Sequence, residues 1–238
     1  MRTFTVLPVV IIVLAASVIP AAARAECCLS DAELKALVEK FNPIFTQGAE
    51  IPAPPERALY RAATADNCTR LLLAYHIIWP YEQDPRPGFW PAFIRATYTG
   101  GLKLQRLIYG PGDVEVVFLT VALPEEKIIR INYETATYDA KNAVQHVPLV
   151  VEEKDVPAGL PLHFRVISWN HLFKLEPAPP VPGEPVYRFT PEPFTDELWS
   201  HYRMTKKIQT PLSLDRDHPA WEDSPDLCCP RRPEGTLR

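Results

Sequence analysis

The sequence predicts a mainly β fold, an antiparallel β-sandwich with a few flanking short helices. Leu71 to Tyr81 is a dense apolar and aromatic run of strand length, interrupted near its end by Pro80. Asp113 to Leu123 and Ile128 to Thr137 are two runs rich in β-branched and aromatic residues, separated by Pro124-Glu125-Glu126, which is the pattern of a hairpin. Helical patterns never alternate regularly with these strands, so a parallel α/β sheet is not indicated.

The chain opens with Met1-Arg2, an apolar stretch from Phe4 to Val18, and the small-residue sequence Ala21-Ala22-Ala23-Arg24-Ala25. This is the three-part pattern of a cleavable export signal, with cleavage expected before Glu26. Its apolar core of about 15 residues is shorter than the roughly 20 that span a bilayer as a helix. No later segment is long and apolar enough to do so, and a secreted or periplasmic protein with no integral membrane segment in its mature chain is expected. Residues 1–25 are then the signal, 26–210 a single β-sandwich domain with an N-terminal helix, and 211–238 a proline-rich, cysteine-containing tail.

Ser30-Asp31-Ala32-Glu33 places a hydroxyl three residues before a glutamate, and Leu34, Leu37, Val38 and Phe41 recur at helical spacing. A capping box opening a short amphipathic helix follows, stopped by Asn42-Pro43. After the proline-rich link Pro52 to Pro55 comes the Leu71 to Tyr81 strand, then a short helix over Phe89 to Tyr98, closed by Gly100-Gly101. Gly110-Pro111-Gly112 makes a tight turn into the predicted hairpin. Val147 to Glu152 and Leu162 to Leu175 read as two further strands, and Glu197 to Met204 as a peripheral helix.

The formal charge is only −4 and the basic residues are scattered, so the electrostatic footprint of a nucleic-acid binder is missing. The 27 prolines against 9 glycines point to extended, irregular connections late in the chain. Cys27, Cys28, Cys68, Cys228 and Cys229 suggest disulfides in an oxidising compartment, tying the two ends together or to the body. A tetrathiolate zinc site from the two Cys-Cys pairs is the alternative, although zinc-binding cysteines usually sit two to four residues apart.

The G-x-S-x-G elbow, the phosphate-cradling glycine loop, H-E-x-x-H and the dinucleotide fingerprint are all missing. What remains is acidic. Asp113 and Glu115, one residue apart on a strand, point to the same face about 6 to 7 Å apart. Two such carboxylates repel unless a cation lies between them, and the cation is either a divalent metal such as calcium or magnesium or a basic side chain. Tyr75 to Glu82, reading Y-H-I-I-W-P-Y-E, the segment Gly112-Asp113-Val114-Glu115, and Trp169-Asn170-His171-Leu172 together resemble the necrosis-inducing (NPP1-like) secreted proteins, and more loosely the Vps62-like proteins. The resemblance implies a β-sandwich with flanking helices and a divalent metal held at one end, with Glu82, Asp113 and Glu115 as its ligands. The family's heptapeptide histidines are not retained, and the tryptophan of its D-W-E is Val114 here.

His76, in an apolar strand, and His171, beside Trp169, read first as hydrogen-bonded core residues. His171 and His146 are the candidates for moving a proton. Trp79, Tyr81, Phe89, Trp90, Phe93 and Tyr98 are expected to pack the core; exposed, they would suit a sugar or a lipid surface. The expected function is binding of a glycan or lipid head group, with a metal-assisted hydrolase or lyase, and a structural protein without a site, as the alternatives.

Overall fold

The computed structural model describes residues 29–96, 110–138 and 144–204. The export signal, Tyr98, Gly100-Gly101, Cys27, Cys28, Cys228, Cys229 and the tail from residue 205 lie outside the described residues. Cys68 lies within them and is disulfide-bonded. No described helix is long and apolar enough to cross a membrane.

The capping box forms as the spacing predicts. Ser30 N–H donates to Glu33 Oε2 at 2.7 Å while Glu33 N–H donates to Ser30 Oγ at 3.3 Å, and helix α1 (Asp31–Lys40) follows. Leu37 and Val38 bury its inner face. Among the described residues, eight longer strands and two short ones make up the sandwich: β1 (Ile44–Gln47), β2 (Arg57–Ala65), β3 (Arg70–Trp79), β4 (Asp113–Ala122), β5 (Lys127–Tyr138), β6 (Val144–Glu152), β7 (His163–Val166), β8 (Phe173–Glu176), β9 (Val186–Tyr187) and β10 (Glu192–Pro193). Helix α2 (Phe89–Ile94) lies between β3 and β4 in sequence, and α3 (Asp196–His201) ends the described chain.

Two sheets result. The larger has the order β10-β2-β3-β4-β5-β6 and the smaller β8-β7-β1-β9. The pairs β2-β3, β3-β4, β4-β5 and β5-β6 are antiparallel, β4-β5 being the predicted hairpin, while β10-β2 and β1-β7 are parallel. On the inner face Leu71, Leu73, Tyr75, Ile77 and Trp79 of β3 and Val117, Leu119 and Val121 of β4 meet Phe45, Phe164 and Phe173 of the smaller sheet. On the outer face Leu59, Ile78 and Val114 pack against Phe194, Trp199 and Met204 around α3. Because β3 is covered on both sides, its sequence reads as a continuous apolar run rather than an alternation. His76 belongs to that outer layer, edge-on to Phe194 (4.8 Å) and Trp199 (5.6 Å), in keeping with a core role.

Two sequence expectations change, and one strand is present for which none was stated. Arg57–Ala65, rich in alanine and arginine, carries no strand signal, yet it pairs with β3 along its whole length through the turn Asp66-Asn67-Cys68, all three at positive φ. Leu162 to Leu175 is two strands rather than one, since Ile167 to Leu172 turn back to form the β7-β8 hairpin. Ser168 closes that turn: its carbonyl accepts from His171 N–H (3.0 Å) and its hydroxyl from Leu172 N–H (3.0 Å). Among the aromatics, Trp79 is in the core, but Tyr81, Phe89, Trp90 and Phe93 are exposed, because α2 has no polar face to turn outward while burying an apolar one.

The hydroxyl of buried Tyr75 donates to the Val38 carbonyl at 2.7 Å, satisfying one of the last-turn acceptors of α1 that no helix amide reaches. Burial pushes the phenol pKa upward, so the hydroxyl keeps its proton. Tyr75→Phe removes the donor and leaves a buried carbonyl, and a loss of about 1 to 2 kcal/mol in urea unfolding is expected, with α1 first to exchange its amides.

Candidate functional site

One end of the sandwich gathers most of the residues singled out in the sequence. Trp79 ends β3 and Asp113 begins β4, and the two are direct cross-strand partners, so both face the smaller sheet. Gly112 makes the approach feasible: it sits at φ +76°, and a Cβ there would strike the Trp79 carbonyl. Trp79 Nε1–H donates to Gln47 Oε1 at the end of β1 (2.9 Å), and the His171 ring lies flat on the indole, centroids 4.5 Å apart and planes within 10°.

His171 occupies the β7-β8 turn at φ +60°. Its Nδ1 meets Asp113 Oδ2 at 2.8 Å and its Nε2 the Pro52 carbonyl at 3.2 Å, so a hydrogen on either nitrogen has an acceptor. Both side chains of the pair are essentially inaccessible, at 0% and 1% exposure. The arrangement is a clamp between sheets, and it leaves His171 no surface at which to meet a substrate.

His146 is placed differently. The β4-β5 pairing stops at Val117↔Tyr133, whereas β5 and β6 continue together to Tyr138↔Val144 as a two-stranded ribbon. The ribbon reaches the β7-β8 turn, where Tyr138 donates to the Ile167 carbonyl (3.4 Å) and Asn170 Nδ2 meets His146 Nε2 at 2.9 Å. His146 Nδ1–H donates to Glu134 Oε2 at 2.7 Å across the ribbon. The His146 side chain is 46% exposed. The bond from Glu134 raises its pKa above the usual imidazole value, burial opposes this, and the negative charges of Glu134, Asp113 and Glu82 add to the rise.

Asn170 is 5% exposed, and its Oδ1 is buried with no hydrogen-bond partner, as is Nε1 of the adjacent Trp169. Turning the amide over would put Oδ1 on Nε2, the arrangement a protonated His146 requires, but would then leave Nδ2 in the same position. In either orientation one amide atom lacks a protein partner.

Of the three carboxylates expected to hold a metal, Asp113 is engaged by His171. Glu115 is buried two residues further along the same face, and half-buried Glu82 acts on His146 through its charge. Among the described residues no group of three or more His, Cys, Asp or Glu side chains converges as a metal site. Glu134 and Gln47 have no signal in the sequence; only the ribbon register and the β1-β7 alignment bring them here. A separate cleft of about 370 Å³ lies at the other end of β1, lined by Glu39, Lys40, Asn42, Ile44, Leu160, Pro161 and Arg188, and its Lys40 is paired with Glu126.

No family model, no curated protein and no solved structure matches the chain.

Asp113→Ala, which leaves His171 buried without its partner, is expected to cost about 3 to 5 kcal/mol in chemical denaturation. The double variant Asp113→Leu/His171→Leu costs less than the sum of its single variants, the mark of direct coupling. In an NMR titration the His146 ring titrates above the unperturbed value near 6.5, and Glu134→Gln moves it down. Because the folded-state pKa is the raised one, this group's contribution to stability is present below about pH 6.5 and fades as pH climbs through the folded-state value. A pH-stability curve that Glu134→Gln leaves unchanged in this window would contradict the assignment.

Proposed function

We propose that this chain is an extracytoplasmic ligand-binding β-sandwich whose binding end is formed by His146, Glu134, Asn170 and Trp169, with Glu82 alongside, and that it takes a hydroxyl-rich ligand: a glycan or the head group of a lipid. The observation that carries this reading is the pair of polar atoms without partners on one turn, the Trp169 indole N–H and an amide atom of Asn170, beside a half-exposed imidazole. Buried donors and acceptors are nearly always satisfied in folded proteins. With a small displacement of the turn that uncovers these buried atoms, a hydroxyl, which both donates and accepts, completes the amide in either orientation and also accepts from the indole. Aromatic surface next to such groups suits the apolar faces of a sugar ring.

A second reading, a hydrolase or lyase, draws on the Glu134–His146 pair, where a carboxylate orients an imidazole that can move a proton.

Titration of the purified protein with panels of glycans and lipid head groups, followed at the His146 and Trp169 resonances, tests both. Binding that His146→Ala weakens about tenfold, with no turnover, is the expected result. Turnover abolished by the same variant would favour the enzyme, and a strict requirement for added calcium would count against the metal-free site.

A further inference from the structure

At the His146 end, the atom that Asn170 offers depends on a proton. Asn170 is buried between the β7-β8 turn and the β5-β6 ribbon. With His146 neutral, its Nδ1–H donates to Glu134 Oε2 at 2.7 Å, and its Nε2 accepts from Asn170 Nδ2 at 2.9 Å. The amide oxygen is then the buried atom without a partner. The turn therefore offers one acceptor, Asn170 Oδ1, and one donor, the Trp169 indole N–H.

When His146 takes up a proton, both ring nitrogens donate, and Nε2–H needs an acceptor where Nδ2 stands. Asn170 supplies one by turning its amide over, which engages Oδ1 and leaves Nδ2 in its place. The turn then offers two donors and no acceptor. A hydroxyl is satisfied in either state, whereas an ammonium group, which only donates, has a partner only in the first. Electrostatics acts in the same direction. The charges that act on the ring are negative: Glu134 from β5, Asp113 from β4 and Glu82 from the loop after β3. The titratable group on the β7-β8 turn is His171, whose Nδ1 is on Asp113. A cation gains in this field either as a proton on His146 or as an ammonium beside it, and each repels the other.

Resting on the binding reading above, we infer that the His146–Asn170 pair is a proton-operated switch, which holds the primary ammonium of an amino alcohol while His146 is neutral and releases it when His146 is protonated. The ammonium donates to Asn170 Oδ1, and an oxygen of the same ligand accepts from Trp169 Nε1–H. The ligand enters beside the half-exposed His146 ring as the turn moves by the small displacement that uncovers these atoms. An anion is the poorer occupant, because the same three carboxylates repel it. Ethanolamine has the required chemistry, either free or at the end of a lipid head group.

NMR titration of the purified protein with 2-aminoethanol, which stays cationic near neutral pH, and with ethylene glycol, its hydroxyl counterpart, tests the switch at the Trp169 indole and His146 ring resonances. 2-Aminoethanol is expected to bind about tenfold tighter above the His146 midpoint than below it and, by reciprocity, to lower that midpoint by about one pH unit at saturation. Ethylene glycol leaves the midpoint in place. In the free protein the Asn170 side-chain amide protons titrate together with His146. Glu134→Gln, which lowers the His146 midpoint, moves the release of 2-aminoethanol to the same lower pH, a displacement that a merely structural role does not produce. Vesicles of phosphatidylcholine containing phosphatidylethanolamine compete with 2-aminoethanol if the lipid-borne group is taken and leave it bound if the free one is. Binding of 2-aminoethanol that does not change with pH, or Asn170 amide protons that do not follow His146, overturns the switch. If 2-aminoethanol fails to bind while glycans bind at these resonances, the amine is overturned and the binding reading stands; if nothing binds, both fall.

Discussion

The contact between His171 and Trp79, closed by Asp113, constrains the rest of the functional end. Trp79 and Asp113 belong to the larger sheet and His171 to a turn of the smaller one, so the stack and the 2.8 Å bond join the two layers at one point. Gln47 and the Pro52 carbonyl bring β1 and its following loop to the same place. A carboxylate this deeply buried is costly unless paired, and it fixes the relative position of the sheets more narrowly than apolar packing would, because a displacement of about 1 Å breaks the bond. That narrowness positions Asn170, the residue before His171, and through it the β5-β6 ribbon.

The ribbon explains why two histidines so close in space have different roles. His171 lies between the layers, where both nitrogens are engaged by the protein and no surface remains. His146 is on strands that have left the sheet beyond Tyr133, so it keeps solvent on one side and the turn on the other. Its raised pKa follows from that place, since Glu134 is bonded directly and the charges of Asp113 and Glu82 act through partly desolvated space. Asp113 and Glu82, singled out in the sequence as carboxylates, are electrostatic neighbours of this imidazole.

How much of this was legible depends on which physical signal each part carries. The α1 cap, β3 and the β4-β5 hairpin were legible because side-chain chemistry at fixed offsets, or a continuous buried run, specifies them locally. Strand β2 was not, since Ala58, Ala62, Ala63 and Ala65 with Arg57 and Arg61 have helix-forming character, and pairing with β3 overrides it. The break between β7 and β8 was hidden because Ser168-Trp169-Asn170-His171 contains neither glycine nor proline. At the site, Asp113, His146 and His171 could be singled out by residue type, but Glu134 and Gln47 could not, because only strand register selects them.

Exposed aromatics were the hardest part to read, and the reason is general. A sequence shows how many apolar residues a segment has, but a buried helix and an exposed one with no polar face look alike until the neighbours are placed. Trp79 and Trp90 illustrate this, 11 positions apart in the same aromatic-rich stretch. One is covered by two sheets, while the other stands on a helix that no described element covers to the same degree. What separates them is the Asp84–Arg86–Arg95 staple, which fastens the loop back on itself rather than against the core. A loop with only apolar collapse to guide it would fold these rings inward, since each gains free energy on burial. Bonds from Arg95 to two backbone carbonyls satisfy the loop's own polar groups first, and so hold the rings where water, or another surface, meets them.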